Sequence, residues 1–358
     1  MGALRVALAT PTYWPEVRRG AERFVHELAH GLLARGHEPV IVTTTPGRPG
    51  RRREEGVEVL RAWRAPVQPQ RFEDHLSAVP ALRLALHAAR PDAVIATHAT
   101  AALAAEPWPA VFAFMGIPHR ASLVGRRARL RLVTRATRHA QAVTALSQHA
   151  ARVFEEHLGV SAEVIAPAVD LETFSPGGTR APVPTLVCAA DAGEPRKRVG
   201  LLLEAFEIVR RVHPDAELIL DRRSGPRAPG VHLADMDDRG ALAGFYRRAW
   251  ASVLPSWGEA FGLVLAEALA CGTPVVGANR EGIPEVLGDD PVGGLFDGED
   301  AVALAAAILA TLRLAQEPGT AAACRARAER FSRERCAEAY DDLMRRLPSA
   351  MNGFSIRK

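Results

Sequence analysis

The chain has 358 residues, 48% of them hydrophobic and 24% charged, with a formal net charge of +4. That length holds two domains of ordinary size, and that composition excludes a disordered chain. No apolar run approaches the roughly 18 to 20 residues of a membrane-spanning helix, and the mild basicity gives no ground for nucleic-acid binding.

The first residues run straight into an apolar strand at 4–9 with no cleavable hydrophobic segment, so a cytoplasmic protein is expected. An amphipathic helix follows at 21–35, stopped by Gly36, then strands at 39–43, 93–96, 111–114, 142–146 and 164–166 with helical stretches between most of them. Continuous apolar strands alternating with helices predict a parallel sheet covered on both faces. Residues 170–184 (DLETFSPGGTRAPVP) are rich in Pro and Gly and read as a linker. The alternation then restarts: strand 185–189, helix 200–212, strands 217–220 and 231–234, helix 239–249, strand 252–254, helix 262–270 and strand 274–277. Two doubly wound domains are predicted, 1–170 and 182–330, with a helical segment at 331–358 packing back on the first. In such sheets ligands bind beyond the carboxyl ends of the strands.

The most informative stretch is 254–285, LPSWGEAFGLVLAEALACGTPVVGANREGIPE. A strand ends at Pro255-Ser256, a loop carries Glu259, and a helix begins near Gly262, carries Glu267 and stops at Gly272. Phe261, Gly262 and Leu263 fall at the helix start, where free N–H groups and the helix dipole favour a phosphate. Glu267 sits one to two turns in, where a carboxylate can accept from both hydroxyls of a ribose. Glu259, on the loop, is placed to reach a sugar. Lys197 and Lys358 are the only lysines in an arginine-rich chain, so Lys197 marks a position with a particular need.

Two glutamates spaced E-x7-E between P-S and G-T-P-V-V resemble the retaining family-4 glycosyltransferases of the GT-B fold. The resemblance runs along nearly the whole chain, through Gly20-Ala21-Glu22, Arg35-Gly36-His37, Arg90-Pro91-Asp92 to His98, and Ala166-Pro167 to Asp170. It continues through Phe174-Ser175-Pro176, Lys197 with residues 202–206, and Glu281-Gly282-Ile283-Pro284-Glu285. It implies two Rossmann-like domains facing across a cleft, the first binding an acceptor and the second a nucleoside-diphosphate sugar. A hexosyl unit would pass with retention of configuration to a small-molecule, glycan or lipid hydroxyl. By the resemblance Glu267 holds the ribose and Glu259 the sugar, and Lys197 and a nearby arginine hold the diphosphate; separately, no metal or other cofactor is expected.

Three positions depart from the family pattern. Arg19-Gly20 stands where two glycines are usual, which bears on the approach of Gly20 to the diphosphate. Asp191-Ala192 stands at the usual Gly-Arg, leaving Arg196 or Arg198 to supply the cation. Met115-Gly116 replaces His-Gly, leaving His98 or His119 as acceptor-side histidines beside Met115.

Other motifs compete. His26-Glu27-Leu28-Ala29-His30 matches the zinc-peptidase pattern H-E-x-x-H and would put both imidazoles on one helix face. Leu33 and Gly36, however, occupy the Gly and His slots of the extended motif. Asp235-Met236-Asp237 mimics a D-x-D metal site, yet Asp237 and Asp238 directly precede a helix and read as caps. Arg126–Arg131 reads first as a solvated basic helix face and second as a peripheral contact with the inner face of a membrane. A non-catalytic sugar-nucleotide-binding module, and a GT-B epimerase or phosphorylase, are the remaining alternatives. The four scattered cysteines, Cys188, Cys271, Cys324 and Cys336, read as buried reduced thiols.

Overall fold

The structure, a computed structural model, describes residues 2–17, 20–66, 76–118 and 127–347. The chain divides into two compact units, Met1–Ala168 with Arg333–Lys358, and Val169–Ser332.

The first unit runs β1 (Arg5–Ala9), α1 (Gly20–Ala34), β2 (Glu38–Thr45), β3 (Gly50–Glu54), β4 (Val57–Trp63), α2 (Ala78–Ala89), β5 (Ala93–Ala96) and α3 (Ala99–Ala104). It continues with β6 (Ala110–Ala113), α4 (Arg127–His139), β7 (Ala142–Ala145), α5 (Gln148–Leu158) and β8 (Glu163–Val164). The strands form one sheet in the order β3-β4-β2-β1-β5-β6-β7-β8, parallel except for the β3–β4 hairpin at one edge. Residues 6–9 of β1 are fully buried, as expected for a central parallel strand covered on both faces. The hairpin was not expected. β3 reads GRRRE and is almost wholly exposed, so it carries no apolar alternation to announce it.

The second unit runs β9 (Thr185–Cys188), α6 (Val199–Val212), β10 (Glu217–Asp221), β11 (Val231–Ala234), α7 (Arg239–Arg248), β12 (Ala251–Leu254) and α8 (Leu263–Ala270). After these come β13 (Val275–Ala278), α9 (Ile283–Leu287), β14 (Gly293–Phe296), α10 (Ala301–Leu314) and α11 (Thr320–Ala328). All six strands are parallel, in the order β11-β10-β9-β12-β13-β14. This is the 3-2-1-4-5-6 order of a Rossmann sheet, with its topological switch point between β9 and β12. The Pro/Gly-rich stretch after Asp170 is docked on this unit. Phe174 is fully buried, Asp170 accepts from the Glu172 and Thr173 amides and pairs with Arg239, and Arg247 binds the carbonyls of Thr173 and Ser175.

The chain then returns to the first unit with α12 (Arg333–Arg346), which packs along α1. Tyr340 is fully buried there, edge-on to Phe24, with its hydroxyl 2.8 Å from Thr144 Oγ1. Arg333 binds Glu27 at 2.7 Å, and Asp341 gathers Arg35, His37 and Arg345 at 3.1, 3.2 and 2.6 Å. All four cysteines are buried and free, and burial pushes each thiol up, Cys188 to about 11 and the others to about 12.

Candidate functional site

The loops after β9 and β12 flank the switch point of the second sheet, and they carry the residues singled out by the sequence. After β9 a turn at Pro195–Lys197 leads into Arg198, whose left-handed backbone (φ 54°) opens α6. After β12 the loop 255–262 reaches α8. The two loops are tied by a backbone bond, the Trp257 amide donating to the Arg196 carbonyl at 2.8 Å.

That tie brings the side chains together. Lys197 Nζ donates to Glu259 Oε1 at 2.5 Å, and Arg196 reaches the same oxygen at 3.2 Å while its other arm binds Glu194 at 3.0 Å. Lys197 and Glu259 keep only 16% and 14% of their side-chain surface, so the pair is well shielded without being sealed. Two guanidinium groups lie over the Trp257 ring, Arg198 at 4.4 Å and Arg280 at 5.2 Å from its centre. Burial lowers the Arg198 pKa, opposed by Glu299 and reinforced by Arg280, but an arginine keeps its charge in any such setting.

The Glu259 loop is held from behind by the segment after β13. The Glu259 amide donates to Glu281 Oε2 at 2.9 Å, and the Gly282 amide donates to the Glu259 carbonyl at 3.0 Å. Only glycine fits at 282, because a Cβ there would lie 2.3 Å from the Ala260 carbonyl oxygen. Ser256 Oγ and Trp257 Nε1, on the same loop, are buried without a hydrogen-bond partner. Sequence reasoning noted Glu281-Gly282 only as part of a resemblance and did not place it at the site. Arg280 was missed altogether.

The structure thus joins Arg196, Lys197, Arg198 and Glu259. Phe261 faces the core, 4% exposed and edge-on to Phe331 at 5.0 Å, so only its backbone is available to a ligand. Gly262 caps α8 with φ 106°, and the Leu263 and Val264 amides begin the helix, where helical geometry leaves N–H groups without an intrahelical partner. Glu267 sits in the second turn of α8, 2% exposed.

The remaining expected residues belong to the first unit. Gly20 opens α1 with nothing within 4 Å of a built Cβ, so sterics do not demand glycine there. His98 follows β5 at that sheet's own switch point, beside β1, and caps α3 by accepting from the Thr100 amide. Met115 follows β6 and packs partly buried against the first unit's core. His119 and Arg126 lie outside the described residues, and Arg131 on α4 is exposed. No described helix is long and apolar enough to cross a membrane.

The residues of two rival motifs have particular local partners. Asp235 is bound by Arg222 and Asp237 by Arg223, both at 2.7 Å, while Asp238 rather than Asp237 caps α7 through the Ala241 amide. In the H-E-x-x-H segment, Glu27 is 2% exposed and turned to Arg333 of α12. It is therefore not beside the histidines as a peptidase base would have to be.

Two Rossmann-like α/β units, the second with a cation-and-carboxylate cluster at its switch point, define a protein of the GT-B fold. Residues 18–173 match Glycosyltransferase Family 4, and residues 183–313 match Glycosyl transferases group 1. The chain therefore carries a family-4 glycosyltransferase domain followed by a group 1 glycosyltransferase domain. It is 34% identical over 163 residues to a D-inositol 3-phosphate glycosyltransferase of Mycobacterium sp. (strain KMS), an alignment spanning 38% of this chain and 36% of that protein. Across several such curated relatives the chain spans about a third to a half of their length. Among solved structures it resembles sucrose-phosphate synthase from Thermosynechococcus elongatus (TM-score 0.80, 20% identity, 95% of this chain and 98% of that one). It also resembles Anabaena Alr3699/HepE in complex with UDP and glucose (TM-score 0.73, 17% identity, 96% and 100%).

Proposed function

We propose that the protein transfers a hexosyl unit from a nucleoside-diphosphate sugar to a hydroxyl acceptor, with retention of anomeric configuration and without a catalytic metal. The observation that carries this reading is the convergence of Lys197 and Arg196 on Glu259 at the switch point of the second sheet. As the glycosidic bond breaks, negative charge grows on the departing diphosphate. A preorganised ammonium and guanidinium stabilise that charge more than they stabilise the ground state. Lysine suits the post as a compact point charge with three donors.

In the reaction the acceptor oxygen attacks the anomeric carbon from the face the diphosphate leaves. The bond from that carbon to the phosphate oxygen breaks, and the acceptor's proton passes to the departing oxygen. Lys197 and Arg196 exchange their contact with Glu259 for the diphosphate, and Glu259 turns to the sugar. The Leu263 and Val264 amides take a phosphate oxygen, Glu267 takes the ribose, and the orphaned Ser256 hydroxyl and Trp257 indole N–H gain partners from the bound donor. The acceptor is held by the first unit, where His98 stands at the carboxyl end of β5. The relative named for D-inositol 3-phosphate and the HepE complex with UDP support a nucleotide-sugar donor and a polyol-type acceptor.

The test is a transfer assay over UDP-, GDP- and ADP-sugars and polyol, glycan and lipid acceptors, with the product anomer read by proton NMR. A product with the donor's configuration, formed at the same kcat with EDTA present, is expected. An inverted product overturns the retaining mechanism, and hydrolysis or epimerisation without transfer overturns the reaction class.

A further inference from the structure

His26 and His30 lie one turn apart on α1, with ring centres 4.3 Å apart. Facing them is the two-residue turn Glu55-Gly56 that joins β3 to β4. Both residues have positive φ, 47° and 82°, the signature of a type I′ hairpin turn. The turn rests on α1, since a Cβ built on Gly56 would meet Leu33 Cδ2 at 3.3 Å. It sets Glu55 Oε2 3.6 Å from His26 Nε2 and 3.5 Å from His30 Nε2. The three groups present ligand atoms all within 4.8 Å of one another. They border a cavity of about 50 Å³ shared with Tyr13 and Trp14.

Hydrogen bonding fixes the tautomer of His30. His30 Nδ1 lies 2.9 Å from the His26 carbonyl oxygen, which can only accept, so Nδ1 carries the proton. In the neutral ring Nε2 is then a lone pair, and that atom is buried with no hydrogen-bond partner. It points at a carboxylate oxygen, and two electron-rich atoms at that distance call for a cation between them. His26 Nδ1 lies 3.1 Å from the Tyr13 hydroxyl, which can donate to it or accept from it, and its ring is tilted against Trp14 with centres 4.4 Å apart. An outer partner on one ring nitrogen that aims the other inward is how proteins orient imidazole ligands.

We infer that His26, His30 and Glu55 bind a divalent transition-metal cation, zinc being the ion whose preferences they meet. Two imidazoles and one carboxylate suit zinc and its neighbours, whereas magnesium and calcium demand oxygen shells. A tetrahedral ion about 2.0 to 2.1 Å from its ligands sets them about 3.3 Å apart, and two of the three separations are already close to that. The cavity has room for a water as fourth ligand. Glu55, 73% exposed, lets the ion enter from solvent and then closes over it. No reaction is assigned to the ion: Glu27 faces Arg333, and Glu54, which borders the same cavity, is paired with Arg61. The ion joins the hairpin tip to α1 and, through Tyr13 and Trp14, steadies the loop after β1 at the first sheet's switch point. Sequence reasoning looked for the third ligand further along the helix and missed it on a turn of another element.

The test is calorimetric titration of zinc chloride into the tag-free, chelator-treated full chain, with thermal denaturation and cobalt absorption spectra in parallel. One equivalent of zinc should bind and raise Tm, magnesium should do neither, and cobalt should give the visible bands of a four-coordinate nitrogen and oxygen site. His30→Gln and Glu55→Gln should each weaken zinc binding by roughly tenfold or more, the loss that even outer partners of metal sites cause. Glu55 lies on an exposed turn, so Glu55→Gln keeps the fold and decides the matter if His30→Gln does not fold. Absence of stoichiometric binding, or zinc binding undiminished in Glu55→Gln, overturns the site and leaves a protonated histidine as the cation facing Glu55.

Discussion

Lys197 and Glu259, 62 residues apart in sequence, meet at 2.5 Å across the switch point of the second sheet. The contact exists because β9 and β12 are neighbours in a sheet whose strand order reverses there, so that the loops leaving them face one another. The Trp257 amide bond to the Arg196 carbonyl then fixes the separation of the two loops. On the proposed function this cation and carboxylate exchange their ion pair for a phosphate on one side and a sugar on the other.

On the proposed function Glu259→Gln should lower kcat, because there the group faces the sugar where positive character develops. The loss of one preorganised group of this kind typically costs about 2.7 to 4 kcal/mol, or roughly 10² to 10³ in rate. Nucleotide affinity, read by calorimetry on the same variant, should stay close to wild type.

Glu267→Gln should behave differently. Contacts to a ribose barely change as the glycosidic bond breaks, so the donor KM should rise more than kcat falls, the signature of lost uniform binding. Steady-state kinetics at saturating acceptor separates the two. A large fall in kcat with KM unchanged would move Glu267 from binding to chemistry.

The central strands were legible because parallel strands buried on both faces read as continuous apolar runs, as in 6–9 and 93–96. The loops that carry the candidate residues followed, since the strand ends locate them, and Lys197 stood out in an arginine-rich chain. What composition concealed is what arginines and backbone geometry do. The stretch 170–184 read as a linker from its prolines and glycines, yet the Arg247 bonds to its carbonyls and the buried Phe174 dock it on the second unit. Glu281 reaches the site through the Glu259 amide, a contact with no spacing rule behind it. Glu55 reaches His30 only because an exposed arginine strand, invisible to hydrophobic periodicity, turns back over α1.

Gly282→Ala should destabilise the second unit and impair transfer together. The added Cβ would fall 2.3 Å from the Ala260 carbonyl oxygen, so the Glu259 loop must move to admit it. Overpacking of this kind costs about 1 to 3 kcal/mol, to be read as a lower urea midpoint. The neighbouring Glu281→Gln, which keeps an acceptor for the Glu259 amide, should cost much less stability.

The docking of α12 should weaken in acid. Burial pushes the Asp341 carboxyl up, but hydrogen bonds from Arg345, Arg35 and His37 outweigh it and hold the pKa below the usual carboxylate value. A depressed folded-state pKa adds stability that is complete above the unfolded value near about 3.9 and is lost as pH falls through the folded value. Urea unfolding should therefore show stability falling below about pH 4. Asp341→Asn, which removes the carboxylate from two partly exposed arginines, should cost about 1.5 to 3 kcal/mol at neutral pH and flatten that acid dependence.

The central claim is that Lys197 serves the diphosphate of a nucleotide donor. Its most direct test is calorimetric titration of UDP, GDP and ADP, each against its monophosphate, into wild-type protein and Lys197→Ala. The account predicts that one diphosphate binds wild type markedly more tightly than its monophosphate, and that this advantage collapses in Lys197→Ala while monophosphate affinity barely changes. Equal binding of the diphosphate and monophosphate by the wild type, or an advantage that survives the loss of Lys197, would contradict it.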